Sequence, residues 1–182
     1  MKHSYGLLSL AVIAFAALVC GCKPAPKTEA DATKLEANAT AALEGYRAKD
    51  PSLQTLLDKS VGYAIFPDIG KAGWIVGGSY GRGEVYEAGK RIGYADISEV
   101  SAGFQWGAQN FSELLIFLRQ EDLDKFKKGE FSVGANVSAV ALTAGAAGKT
   151  DPSKGVVAVV DTKGGLMAEA AVGGQRMRFR PQ

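Results

Sequence analysis

Five glycines, at positions 73, 77, 78, 81 and 83, punctuate the run from Lys71 to Glu87, which otherwise carries Trp74, Ile75, Val76, Tyr80, Val85 and Tyr86. Glycine inside a strand serves bulges, sharp bends and close backbone approach. The run therefore predicts a sheet that bends strongly. Strand-like runs surround it: Val61–Phe66, ended by Pro67-Asp68, then Arg91–Ile97, Glu99–Trp106, Phe111–Leu118, Phe131–Leu142, Val156–Asp161, Leu166–Val172 and Arg176–Phe179. Helical periodicity is confined to short stretches. Leu35, Ala39, Ala42, Leu43 and Tyr46 form one apolar stripe, with Thr33 and Glu36 at capping-box spacing. Asp50-Pro51 reads as an N-cap and first helical residue ahead of Leu53, Leu56 and Leu57. Gln120–Lys128 predicts about two turns of helix, with Leu123 and Phe126 inward and Gly129 at the C-terminal end. No βα alternation occurs. Helices followed by many short strands predict an α+β fold, with N-terminal helices packed on a curved, glycine-rich antiparallel sheet resembling half a barrel.

The N-terminus reads as an export signal. Lys2 and His3 precede the apolar run Leu7–Val19, and small residues follow it. That run falls short of the ~20 apolar residues of a membrane span. Val19-Cys20-Gly21-Cys22 matches the lipobox of bacterial lipoproteins in the register that acylates Cys22; Cys20 does not fit, because Val19 stands where a small residue is required. The expected organisation is a signal peptide over 1–21, a lipidated tether over 22–30 that includes Lys-Pro-Ala-Pro-Lys, and one domain over 31–182. Lys23 is not the aspartate that retains lipoproteins in the inner membrane of enteric bacteria, so the expected location is the outer membrane, facing the periplasm.

Removing the signal removes His3, the only histidine, and leaves Cys22 as the only cysteine. Ser-His-Asp and Cys-His catalysis, disulfides and zinc sites built on His or Cys are thereby excluded. A formal net charge of +2 over the whole chain gives no reason to expect nucleic acid. Two nucleotide-like patterns also fail. Gly78-Ser79-Tyr80-Gly81-Arg82-Gly83 carries its glycines in the reverse order of a dinucleotide fingerprint and lies between strands. Gly148-Lys149-Thr150 lacks the first glycine of a phosphate loop, since position 143 is Thr143, and Asp151-Pro152 stops the helix that must follow. Glu84, Glu87, Asp96, Glu99, Asp161 and Glu169 are carboxylates in or near strands, but no spacing singles out a catalytic pair. The reading is of a protein that is not an enzyme and needs no cofactor or metal.

Arg176-Met177-Arg178-Phe179-Arg180 is more informative. Strand alternation places Arg176, Arg178 and Arg180 on one face and Met177 and Phe179 on the other. Guanidinium forks match phosphate oxygens, so this face is the first candidate for lipid headgroups; a charged, solvent-facing edge strand is the plainer alternative. Lys71, Arg82, Lys90 and Arg91 flank glycine turns and are the second candidates, as loop tips. Trp74, Trp106, Tyr80 and Tyr86 are either core aromatics or residues of a membrane interface.

Ala64-Ile65-Phe66-Pro67, Lys71-Ala72-Gly73, Gly77-Gly78, Gly81-Arg82-Gly83 and Gly103-Phe104-Gln105-Trp106-Gly107-Ala108-Gln109 together resemble the SYLF lipid-binding domain. Phe131-Ser132-Val133-Gly134, Ala141–Gly148, Lys163-Gly164-Gly165-Leu166 and Gly173-Gly174 extend the resemblance, which runs from about Leu53 to Phe179. It departs at Gly93-Tyr94-Ala95-Asp96, where the family often has Gly-Trp-Ser and a nearby proline. The resemblance implies a non-enzymatic domain that binds membrane phospholipid, with anionic headgroups expected. Eukaryotic members prefer phosphoinositides, through basic residues and an amphipathic N-terminal helix, and some engage actin. Only the lipid affinity carries over to an envelope protein. The alanine-rich helix Thr33–Tyr46 suits packing on the sheet better than burial in a bilayer. A structural or protein-interaction module of the envelope, with a protein partner on the sheet edge or glycine-rich face, is the competing reading.

Overall fold

The computed structural model describes residues 26–73, 76–102, 108–131, 137–162 and 175–182. Helix α1 spans Glu29–Lys49 and α2 spans Leu53–Lys59. Strands β1 (Gly62–Gly73), β2 (Val76–Glu87), β3 (Lys90–Ala102) and β4 (Ala108–Phe117) follow. Helix α3 (Gln120–Lys128) leads to β5 (Val137–Ala141), β6 (Val156–Thr162) and β7 (Arg176–Pro181). The strands lie in the order β5-β6-β4-β1-β2-β3-β7, in a curved sheet that does not close. Neighbours pair antiparallel except β5 and β6, which run parallel. The α+β reading holds, and the parallel pair is the departure from an all-antiparallel sheet.

Helix α1 starts earlier than the capping-box spacing predicts. Thr28 is the N-cap, its side chain accepting from the Asp31 N–H at 3.1 Å, with Glu29 and Asp31 in the first turn complementing the helix dipole. Thr33 lies inside the helix, its hydroxyl donating to the Glu29 carbonyl at 3.1 Å. The helix therefore begins within the stretch read as tether. Asp50 likewise lies outside α2, whose N-cap is Ser52.

Strand β1 continues through Pro67-Asp68 instead of ending there. Phe66 pairs with Glu113 and Ile69 with Phe111, so Pro67 and Asp68 oppose Ser112 alone. A proline has no N–H to lose at such a bulge, which is how the strand tolerates it. Arg91–Ile97 and Glu99–Trp106 are joined in β3 as far as Ala102, while Leu166–Val172 lies outside the described residues. Ala88 and Gly89 connect β2 to β3, both with positive φ (48° and 76°), as a two-residue hairpin turn requires. Gly93 has a different reason to be glycine. A Cβ there would fall on the Arg180 carbonyl and the Phe179 ring, so its absence lets β7 lie against β3.

The sheet is covered on both faces. Ala39, Leu43 and Tyr46 of α1, with Leu53 and Leu56 of α2, bury Ile65, Leu114, Ile116, Val157 and Val159. On the opposite face, Leu123 and Phe126 of α3 pack with Phe66, Val85, Ile97, Leu115, Phe117 and Met177. Helix α1 thus packs on the sheet through the alanine-rich stripe, as its composition predicts. It lies over β1 and β2, and α3 lies against β7 and β4.

Asp50 locks the α1–α2 corner to the far edge of the sheet. It is 1% exposed, and its carboxylate accepts from the Ser52 N–H at 3.1 Å and the Ala147 N–H at 2.9 Å. Burial pulls its pKa upward, but bonds from the Ser52 hydroxyl and from the Ala147, Ser52 and Gly145 N–H groups outweigh burial and hold it below the ordinary carboxylate value. Replacing it leaves buried donors without an acceptor, at ~1–3 kcal/mol. Asp50→Ala is expected to lower urea-unfolding stability by about that amount at pH 7. A depressed folded pKa means the Asp50 contribution is present above the unfolded value of 3.8 and fades as pH falls through the lower folded value. The gap between parent and Asp50→Ala is therefore expected to narrow below about pH 4.

Candidate functional site

Cross-strand register brings four of the basic candidates, Arg82, Arg176, Arg178 and Arg180, onto one strip. Across β2, β3 and β7 run three rows: Tyr80–Ser98–Arg176, Arg82–Asp96–Arg178 and Glu84–Tyr94–Arg180. Side chains directly opposite each other in such rows are ~5 Å apart at Cβ. Along β7 the burial alternates as the sequence predicts: Met177 is buried and Phe179 packs on the core, while Arg176 and Arg178 are exposed and Arg180 is half-buried.

The members of this strip differ in freedom. Arg178 Nη2 donates at 3.0 Å to Oδ2 of Asp96, which is 1% exposed. That guanidinium balances a buried carboxylate and belongs to the fold. Reversing its charge would set two carboxylates side by side, one without access to water. Arg82 donates from Nε to the Tyr80 hydroxyl at 2.9 Å and lies over the Tyr80 ring, 5.9 Å from its centroid. Tyr80, 37% exposed, is the exposed large aromatic of the described residues. Arg176 and Arg180 enter no salt bridge among the described residues, so their charges remain available.

The other candidates are placed differently. Arg91 follows the Ala88–Gly89 turn, but its Nη1 donates to Oε1 of the fully buried Glu84 at 2.6 Å and lies 3.3 Å from Glu36 Oε2 on α1. The Glu84 bond is the chief reason its pKa is held above the ordinary arginine value. Arg91 is a structural clamp. Lys90 is exposed at the same turn. Lys71 lies within β1, where its backbone pairs with Ser79 and Gln109, and Arg82 lies within β2. Neither is a loop tip. Tyr86 stacks on Tyr63 at 4.8 Å and its hydroxyl donates to Glu84 at 2.8 Å, so it is a structural aromatic. Cys22, Trp74, Trp106 and Glu169 lie outside the described residues.

The carboxylates singled out in the sequence are mostly matched with cations. Glu84 meets Arg91, Glu87 meets Lys127 at 3.0 Å, Asp96 meets Arg178, and Asp161 meets Lys49 at 2.6 Å. Glu99 accepts from the Ser79 hydroxyl at 3.2 Å. A carboxylate outside that set is more unusual. Glu113 on β4 is fully buried on the α3 face and accepts from Gln175 Nε2 at 2.9 Å. Its position inside the apolar run Phe111–Phe117, at a residue whose neighbours alternate inward, is the signal the sequence holds for it.

A family model described as Ysc84, Las17-binding protein actin regulator, matches residues 98–182. Residues 98–182 match the Ysc84 (SYLF) domain model. The matched segment opens at Ser98, in the middle of β3, and carries β4, α3 and β5–β7, including all three arginines of the last strand. The resemblance read in the sequence runs further, from Leu53, and the structure shows β1 and β2 in the same sheet as the matched strands. No curated protein matches the chain. The matched segment carries β7 and its arginines, which form one side of the strip described above.

Burial pushes the Glu113 carboxyl up to about 8; the Gln175 bond opposes this, and the neighbouring Glu99 charge adds to it. With the folded pKa above the unfolded 4.5, the folded state holds a proton that the unfolded state releases, so stability falls as pH rises between the two values. The loss is on the order of a few kcal/mol, because each tenfold change in proton affinity is worth about 1.4 kcal/mol. Thermal melts from pH 5 to pH 9 are expected to show this decline and then a plateau, with Glu113→Gln flattening the profile and gaining on the parent above about pH 7.

Proposed function

We propose that this chain is a lipoprotein acylated on Cys22, held at the outer membrane facing the periplasm, whose non-enzymatic domain binds phospholipid headgroups. The observation that carries the reading is the strip on β2, β3 and β7, where Arg176 and Arg180, without salt bridges among the described residues, share a sheet face with the exposed Tyr80. Guanidinium forks suit phosphodiester oxygens, and an aromatic with a polar tip suits the headgroup level of a bilayer. Each basic side chain near an anionic surface contributes ~1 kcal/mol, fading within a Debye length. None of the described helices is long and apolar enough to cross a membrane. The anchor then supplies attachment, and the strip supplies orientation and headgroup preference.

The description of the family model favours a second reading, in which the same domain binds a protein. Vesicle co-sedimentation separates the two. The parent is expected to sediment with phosphatidylglycerol-containing vesicles at low salt and to be released as salt rises. Arg176→Glu with Arg180→Glu is expected to weaken binding at least tenfold while leaving the melting curve intact, because neither residue neutralises a buried group. Lys90→Glu is expected to change little. Equal binding by the double variant would move the headgroup site elsewhere, and a parent that ignores vesicles would leave the protein-binding reading standing.

A further inference from the structure

The chain enters its fold at the border of the arginine strip. Tyr80, Arg82 and Glu84 on β2 and Arg176, Arg178 and Arg180 on β7 alternate with Val85 and Met177, which belong to the α3-side core, so the strip lies on the sheet face that α1 partly covers. The first half of α1 is fixed beside it. Glu36 lies 3.3 Å from Arg91, which is bonded to Glu84 of the strip. Pro26, Asp31, Lys34, Leu35, Asn38 and Arg82 line one small cavity of about 180 Å³, so the N-terminal end of the described chain adjoins Arg82. The other end of α1 is held elsewhere. The Tyr46 hydroxyl bonds Ser112 on β4 at 3.2 Å, Lys49 pairs with Asp161 on β6 at 2.6 Å, and Asp50 holds Ala147. A helix of 21 residues separates these corners by about 30 Å.

Helix α1 begins at Glu29, inside the stretch read as tether, so Lys23, Pro24 and Ala25 alone separate Cys22 from Pro26. Four residue steps span at most about 14 Å, less than the ~15 Å radius of gyration of a domain this size. An acyl chain on Cys22 therefore keeps the Pro26–Arg82 corner close to the bilayer. Charge decides which neighbouring surface turns down. Helix α1 carries Glu29, Asp31, Glu36 and Glu44 against Lys34, Arg47 and Lys49, and offers an anionic surface no net attraction. Arg176 and Arg180, on the flank next to it, enter no salt bridge among the described residues.

Resting on the lipoprotein and headgroup reading above, we propose that the tether and the strip meet the bilayer as one face. The short tether supplies orientation as well as attachment: it lays the β2–β3–β7 flank on the anionic headgroups of the leaflet that holds the anchor, and turns the Asp50–Ala147 corner away from it. The encounter of strip and headgroups is then intramolecular, so contacts worth ~1 kcal/mol each hold the domain down once the anchor is in place.

Fluorophore quenching tests this on the full acylated chain in phosphatidylglycerol–phosphatidylethanolamine vesicles that contain a lipid with a nitroxide on its headgroup. Acylation blocks Cys22, so Ser98→Cys on the strip and Lys149→Cys beside Ala147 each provide a single thiol for the label. At about 150 mM salt, where the Debye length is ~8 Å, the label on Ser98→Cys is expected to be quenched at least threefold more than that on Lys149→Cys. Sixteen Gly and Ser residues inserted after Lys23 extend the reach to roughly 25 Å, and are expected to halve that contrast or more. Arg176→Glu with Arg180→Glu is expected to erase it in the lengthened chain. Equal quenching of the two labels in the parent, stronger quenching at position 149, or a contrast untouched by the longer tether would overturn the proposal while the acylated, headgroup-binding reading stands. Cys22 without an acyl group, shown by the mass of the mature chain, would remove that reading and the proposal with it.

Discussion

The architecture depends on burying both faces of the central strands. Val156 to Val160 on β6 and Leu114 to Phe117 on β4 are all fully buried, so neither strand has a face that water can cover. A sheet of this kind needs a layer on each side, and the chain supplies them from opposite directions in sequence. Helices α1 and α2 cover one face from the N-terminal side, and α3 covers the other from the β4–β5 connection. At ~25 cal/mol per Å² of apolar surface, these two interfaces supply the main driving force for folding. Helix α1 lies over β1 and β2, and among the described residues no helix is laid across β3 and β7 on that side. The candidate site is this uncovered flank.

On that flank, ion pairs do two kinds of work. Glu84 and Asp96 are buried carboxylates, each answered by one arginine across or along the strands. Removing either arginine would leave a buried carboxylate without its cation, a much larger penalty than the net value of the pair. Arg91 and Arg178 are therefore committed to the fold, and Arg91 also reaches Glu36 on α1, tying the helix to the β2–β3 hairpin. Arg176 and Arg180, which the same alternation places on the same face, carry no such duty. One strand thus holds structural and available guanidinium groups side by side, and only the register distinguishes them.

Local patterns are legible in the sequence, and long-range ones are not. The α3 stretch with its Gly129 stop, the strand alternation of Arg176–Arg180 and the packing stripe of α1 all rest on local spacings, two along a strand and three or four along a helix, and each is present. The bulge at Pro67 reads as a strand end, because whether a proline stops a strand depends on what lies opposite, here Ser112. Asp96 and Arg178 are 82 residues apart, and nothing near either one announces the pair. The parallel β5–β6 pairing is invisible for the same reason: it is made by segments that meet only once the sheet is assembled. Glu113 is a middle case. A lone carboxylate in an apolar strand signals burial, the chief cause of its held proton, while Glu99 and the opposing Gln175 bond come from distant segments.

The central claim is that the β3–β7 flank, and not the helical covering, faces the membrane. Hydrogen–deuterium exchange of the full chain, with and without vesicles containing phosphatidylglycerol and phosphatidylethanolamine, tests it most directly. The account predicts slowed exchange over Tyr94–Ser98 and Arg176–Arg180, with α1 and the Val156–Val160 strand unchanged. Protection concentrated on α1, with the last strand unaffected, would contradict it.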